Sequence, residues 1–88
     1  MDCWIFRSGR HREMYLYLDR EDGFDRLPEA LREHFGPPTL VMQLPLDRNR
    51  RLAREDVAQV MANLRDQGYH LQLPPEIRPG LRDGADGL

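Results

Sequence analysis

The chain contains no lysine. All thirteen of its basic residues are arginine, set against fifteen acidic ones for a formal net charge of −2. Arginine offers a planar fork suited to carboxylates and phosphates. The two signs are nevertheless interspersed as on an ordinary solvated face, and codon usage in a GC-rich genome is the preferred account of the bias. A pI near 5.9 counts against a nucleic-acid-binding domain, whose footprint is basic. There is a single cysteine, Cys3, so no internal disulfide can form, and a reducing, cytoplasmic location is the expectation. No apolar run approaches the roughly 20 residues a membrane span requires. The opening Met1-Asp2-Cys3-Trp4-Ile5-Phe6-Arg7 lacks the basic start and apolar stretch of a signal peptide. Absent too are the glycine-rich G-x-x-x-x-G-K-[ST] and G-x-G-x-x-G nucleotide loops.

What is present fits one small domain. The chain has 88 residues, 40% of them apolar and 32% charged. A chain this short buries only roughly 60–65% of its unfolded surface, so there is room for one core and no separate cofactor domain. Cys3 to Arg7 reads as a first strand, with Cys3 and Ile5 pointing one way and Trp4 and Phe6 the other. Both sides are apolar, which predicts cover on both. Ser8-Gly9-Arg10-His11 is a hairpin loop, and Met14 to Leu18 the second strand, antiparallel to the first. Met14, Leu16 and Leu18 share one face of it, Tyr15 and Tyr17 the other.

After the charged turn Asp19-Arg20-Glu21-Asp22-Gly23, a helix runs from about Leu27 to Phe35. Leu27, Leu31 and Phe35 form its apolar stripe, and Gly36-Pro37-Pro38 ends it. Thr39 to Leu44 is a third strand, and its nearly continuous Leu40, Val41, Met42 and Leu44 predict a central position buried on both faces. Pro45 closes it. A second helix spans about Arg54 to Gln67, with Val57, Val60, Met61 and Leu64 inward. No Ser, Thr, Asp or Asn stands just before that start to cap it.

Gly68 then stops the helix, Tyr69 to Leu73 alternates as a fourth strand, and Pro74-Pro75 ends the sheet. Tyr69, Leu71 and Leu73 should face a helix; His70 and Gln72 should face the other layer or solvent. The order β-β-α-β-α-β predicts an α/β fold: a mixed four-stranded sheet with helices on both faces, an α/β/α sandwich, since strand–helix–strand units join strands in parallel. A two-layer α+β sandwich is the competing arrangement. Residues 1–75 form the domain, and 76–88, rich in Pro, Gly and charge, a flexible tail.

These residues resemble the YcgL-domain family of proteobacteria over about residues 2–75. The likeness is carried by Cys3 and Phe6-Arg7-Ser8, Tyr15-Leu16-Tyr17, Leu27-Pro28, Phe35-Gly36, Met42 to Leu46 with Asp47, Leu52, Asp56, and Gly68-Tyr69 with Leu71-Gln72-Leu73-Pro74-Pro75. No one piece is specific; the ordered set is. Phe6 stands where the family often has Tyr, and Arg54 replaces a better helix cap. The resemblance implies an α/β/α sandwich. It implies no activity, ligand or catalytic residue.

The chemistry-bearing residues form no catalytic set. Cys3 lies in a strand expected to be buried, where a thiol behaves as a small hydrophobe. His11, His34 and His70 are scattered, with no zinc-ligand spacing. Asp19, Glu21, Asp22 and Asp25 invite a calcium reading, but Phe24 and Ala30 stand where that loop needs Gly and Glu. Neither metal nor cofactor is therefore expected. The strongest candidate for an anion or partner contact is Arg48, Arg50, Arg51 and Arg54, between the third strand and the second helix, where a helix N-terminus adds donors. Arg7, Arg10 and Arg12 would help if the hairpin loop lies nearby. The bland account is a solvated loop whose arginines pair with Asp47, Glu55 and Asp56. His70 and Gln72 form a second polar patch if their face is open.

The leading expectation is a non-enzymatic binding module acting through a protein partner. The alternatives are RNA, DNA or phosphate binding through the Arg48–Arg54 loop, and a small enzyme using Cys3 or that loop. The oligomeric state and the identity of the edge strands are not readable from the sequence.

Overall fold

The computed structural model describes residues 1–52 and 54–74. The chain forms β1 (Asp2–Arg7), β2 (Tyr15–Leu18), a 3-10 turn (Gly23–Arg26), α1 (Glu29–Phe35), β3 (Thr39–Pro45), α2 (Val57–Gln67) and β4 (Tyr69–Gln72). The four strands lie in the order β3-β1-β2-β4. Every neighbouring pair is antiparallel. The domain is thus a small α+β unit with an all-antiparallel sheet and two helices. The expected flexible tail, 76–88, and Pro75 lie outside the described residues.

The expected mixed sheet is corrected by the place of β1. Because β2 and β3 both run antiparallel to β1, they run parallel to each other, as a strand–helix–strand crossover requires. They are not neighbours, however: β1 sits between them and removes any parallel ladder. The second connection carries the chain from β3 to β4, the two opposite edges.

Strand alternation sorts the core into two clusters. Cys3, Ile5 and Tyr17 pack with Leu46, Val60 and Leu64, and Tyr15, Leu44, Val57 and Met61 join them partly buried. Phe6, Met14, Leu16 and Leu18 pack with Leu27 and Phe35, joined by Trp4, Phe24, Leu31, Tyr69 and Leu71. Successive strand residues point to opposite faces, so α2 sits against the Cys3–Tyr17 side and α1 against the Phe6–Leu16 side. β1 thus contributes to both clusters, Cys3 and Ile5 to one and Phe6 to the other.

The largest departure concerns β3. It is an edge strand, not a central one, and Leu40, Val41 and Met42 are 44, 43 and 46% exposed. Its pairing with β1 slips between Ile5↔Met42 and Phe6↔Leu40, leaving Val41 as the extra residue of a β-bulge. An uninterrupted apolar run looks the same in a buried central strand and in an exposed edge strand, so the pattern alone could not place this strand.

The connections are held by specific hydrogen bonds. The buried Ser8 hydroxyl donates to Phe35 O at 2.6 Å and accepts from the backbone N–H groups of Arg10 (3.0 Å) and His11 (2.9 Å). One side chain thereby ties the hairpin loop to the end of α1. A Cβ at Gly36, whose φ is 75°, would strike the Arg10 side chain, so glycine is needed there for backbone and space alike. Helix α2 starts three residues later than the sequence predicts. Its cap is Asp56, whose side chain accepts from Ala58 N at 3.0 Å. The helix closes at Gly68, in the left-handed region with φ 87°, as expected of a glycine after a helix.

Candidate functional site

The α2 side of the sheet presents Met42 and Leu44 from β3, Cys3 and Ile5 from β1, Tyr15 and Tyr17 from β2, and His70 and Gln72 from β4, as the pairings dictate. Helix α2 covers the Cys3–Tyr17 end of this surface. At the other end a groove of about 300 Å³ stays open, lined by Ile5, Tyr15, Tyr17, Val41, Met42, Arg54 and Gln72. Its floor is apolar and aromatic, with polar groups at a few points, the usual character of a binding cleft.

Those polar groups form a connected set. Tyr17 Oη donates to Gln72 Oε1 at 2.8 Å, and both residues are buried. Burial, reinforced by the nearby Glu55 carboxylate, pushes the Tyr17 phenol up to about 12, so it stays a donor. The His70 ring meets the Tyr17 ring edge-on, with centroids 5.5 Å apart. Behind it, His70 Nε2 lies 2.5 Å from Glu55 Oε1, and Nδ1 lies 2.9 Å from Asn63 Nδ2. A ring protonated at Nε2 satisfies both contacts, donating to Glu55 and accepting from Asn63. At the groove's rim Arg54 pairs with Glu13 at 3.3 Å, with side chains 29 and 58% exposed. Such a pair contributes at most about 1 kcal/mol, so Arg54 can exchange Glu13 for an incoming acceptor.

The sequence-selected arginines do not converge. Arg50 and Arg51 line an open hollow with Asp47 and Asn49. Arg48 lies in another, with Ala58, Met61 and Arg65, and Arg54 belongs to the groove. Asp47 Oδ1 accepts from Asn49 N at 2.8 Å, an Asx turn that shapes this loop from within. Arg7, Arg10 and Arg12 line a separate recess with Ser8 and His11. His11 stacks on His34 at 4.5 Å, and neither joins His70.

The face that would make His70 and Gln72 a polar patch is not open: they are 9 and 8% exposed, His70 held by Glu55 and Asn63 and Gln72 by Tyr17 beside the groove. Tyr69 and Leu71 pack on the α1 side, while Leu73 is 48% exposed. Cys3 is fully buried, and burial, with Asp2 adding to it, pushes its thiol up to about 11. The nucleophilic thiolate is therefore suppressed at neutral pH. Among the described residues no group of three or more His, Cys, Asp or Glu is placed to hold a metal ion, and no helix is long and apolar enough to cross a membrane.

Sequence reasoning did not single out Tyr15, Tyr17, Val41 or Met42. The available signal was their shared face, readable once the strands are paired. The bulge that brings Val41 to the groove has no sequence signature.

Comparison with known proteins bears on the whole domain. A family model described as the YcgL domain matches residues 3–75. A YcgL domain-containing protein of Pseudomonas entomophila is 52% identical over 73 residues, covering 83% of this chain and 75% of that protein. One from Cronobacter sakazakii is 49% identical over 75 residues, covering 85% and 82%. One from Enterobacter is 44% identical over 87 residues, covering 99% and 96%. These names state a domain and no activity.

Proposed function

The chain belongs to the YcgL-domain family, and from that premise we propose that it is a small non-enzymatic binding module. Its docking surface is the edge of β3, unpaired among the described residues, with the adjoining groove. The occupant is an extended, uncharged polypeptide segment that adds a strand to the sheet and lays alternate side chains along the groove. One observation carries this reading: Leu40, Val41 and Met42 are each more than two-fifths exposed on an edge strand that bears no charge to repel a partner. Exposed edges are ordinarily blunted by charge. The buried thiol and the separated arginines speak against the thiol-dependent and anion-dependent alternatives. The two core clusters support a three-layer arrangement with one helix on each face, and the unpaired, buried Cys3 supports a reducing cytoplasmic setting.

The test is peptide selection against the folded chain, followed by residue-resolved NMR. Uncharged β-prone peptides should shift the amides of Thr39–Leu44 together with Ile5, Tyr15 and Arg54. Shifts confined to the Arg48–Arg51 loop, or none, would refute the assignment.

A further inference from the structure

We propose that the segment docking on β3 is the β3 of a second copy of this chain. Two copies pair antiparallel about a two-fold axis, joining their sheets into one continuous sheet. The inference rests on the docking surface argued above and names its occupant.

Charge is the first argument. In an isologous contact every residue meets its own mirror set, so a charged strand opposes itself. Residues 35–46 carry no charged side chain, in a chain that is 32% charged. Every self-pairing register of Thr39–Pro45 is thus free of like-charge opposition.

The two edges of the sheet also differ in length. At the far side of the sheet β4 has only four residues, Tyr69–Gln72. Very short edge strands are one way proteins discourage sheet-to-sheet pairing. β3 has seven, a free edge of about 24 Å at 3.4 Å per residue.

The bulge places the axis. Val41 interrupts the regular ladder, so the two-fold falls in the regular stretch beyond it, at Gln43. Gln43 then faces Gln43 of the partner copy, and Met42 of each copy packs against Leu44 of the other. Met42 and Leu44 share the α2 face, so same-face side chains meet as antiparallel pairing demands. Because Met42 also lines the groove, the two grooves open toward each other across the axis.

A strand edge alone buries less than the ~800 Å² per partner of a standard interface. The dimer is accordingly weak and concentration-dependent.

The experiment is sedimentation velocity on the full chain from micromolar to millimolar concentration, with isotope-filtered NOEs on mixed labelled and unlabelled wild-type protein. The mass should double at high concentration, with intermolecular NOEs between Met42 and Leu44. Gln43→Lys, at an exposed position, should hold the monomer mass, and so should Gln43→Glu. Mixing the two variants should restore the doubled mass, because opposite charges then meet at the axis. A monomer mass throughout for wild type, or a dimer whose NOEs lie outside β3, overturns the inference. If that monomer still shows β3 amide shifts with selected peptides, the docking surface survives while the second copy does not.

Discussion

Tyr17→Phe removes one oxygen from the floor of the groove and leaves the ring in place. In the native fold Tyr17 Oη donates to Gln72 Oε1 at 2.8 Å, with the two residues 5 and 8% exposed. Without the hydroxyl, the Gln72 carbonyl loses its donor in a site with little water. A buried polar group left unpaired costs about 1–3 kcal/mol, whereas replacing both partners by apolar groups of similar shape is nearly neutral. Gln72→Met alone should therefore cost a similar amount, by stranding the Tyr17 hydroxyl. The double variant should cost much less than the sum, with a coupling of about 1–2 kcal/mol. Chemical denaturation at neutral pH reads these differences. Thermal melts give an independent reading, at about 4–8 °C per kcal/mol for a domain this small. Additive single variants, or a Tyr17→Phe cost below about 0.5 kcal/mol, would show that the pair does not act as a buried, mutually satisfied unit.

Ser8→Ala breaks three hydrogen bonds at once and should cost about 1–3 kcal/mol; faster amide exchange at Arg10 and His11 would locate the damage in the hairpin loop. Asp56→Ala removes the α2 cap and should cost about 1 kcal/mol in urea denaturation. Cys3 and Tyr17 are held neutral in the fold, so their contribution is intact below their ordinary values of 9.0 and 10.0. It is lost as pH rises through about 11 for Cys3 and about 12 for Tyr17. At about 1.36 kcal/mol per pH unit, discounted for solvent screening, each is worth at most about 2 kcal/mol. Alkaline denaturation should set in above pH 9, and ultraviolet titration should show Tyr17 ionising near pH 12.

The elements whose periodicity has one physical cause were legible in the sequence. The stripe Leu27, Leu31 and Phe35, the inward set Val57, Val60, Met61 and Leu64, and the two-faced alternation of β1 and β2 all report burial against the chain's own helices, and all appear in the two core clusters. Where several causes share one pattern, the reading failed. An apolar β3 fits a buried central strand and an exposed edge strand equally well. Asp56 fits an arginine's counter-charge and a helix cap, and the cap prevails because the first N–H groups of α2 need an acceptor. The alternation of His70 and Gln72 fits a face turned to solvent and one turned to a second layer alike; in the fold both are buried, and Glu55, Asn63 and Tyr17 satisfy them. The groove escaped because it is a gap, defined by how far α2 extends over the sheet and by a bulge at Val41. Neither quantity is local to a motif.

The central claim, that the free edge of β3 receives another strand, is tested most directly by amide hydrogen exchange resolved residue by residue in dilute and concentrated protein. The account predicts that outward-facing amides within Leu40–Leu44 exchange more slowly at high concentration, while those of β4 keep their dilute rates. Unchanged exchange along β3, or new protection only at β4 or in the Arg48–Arg51 loop, would contradict it.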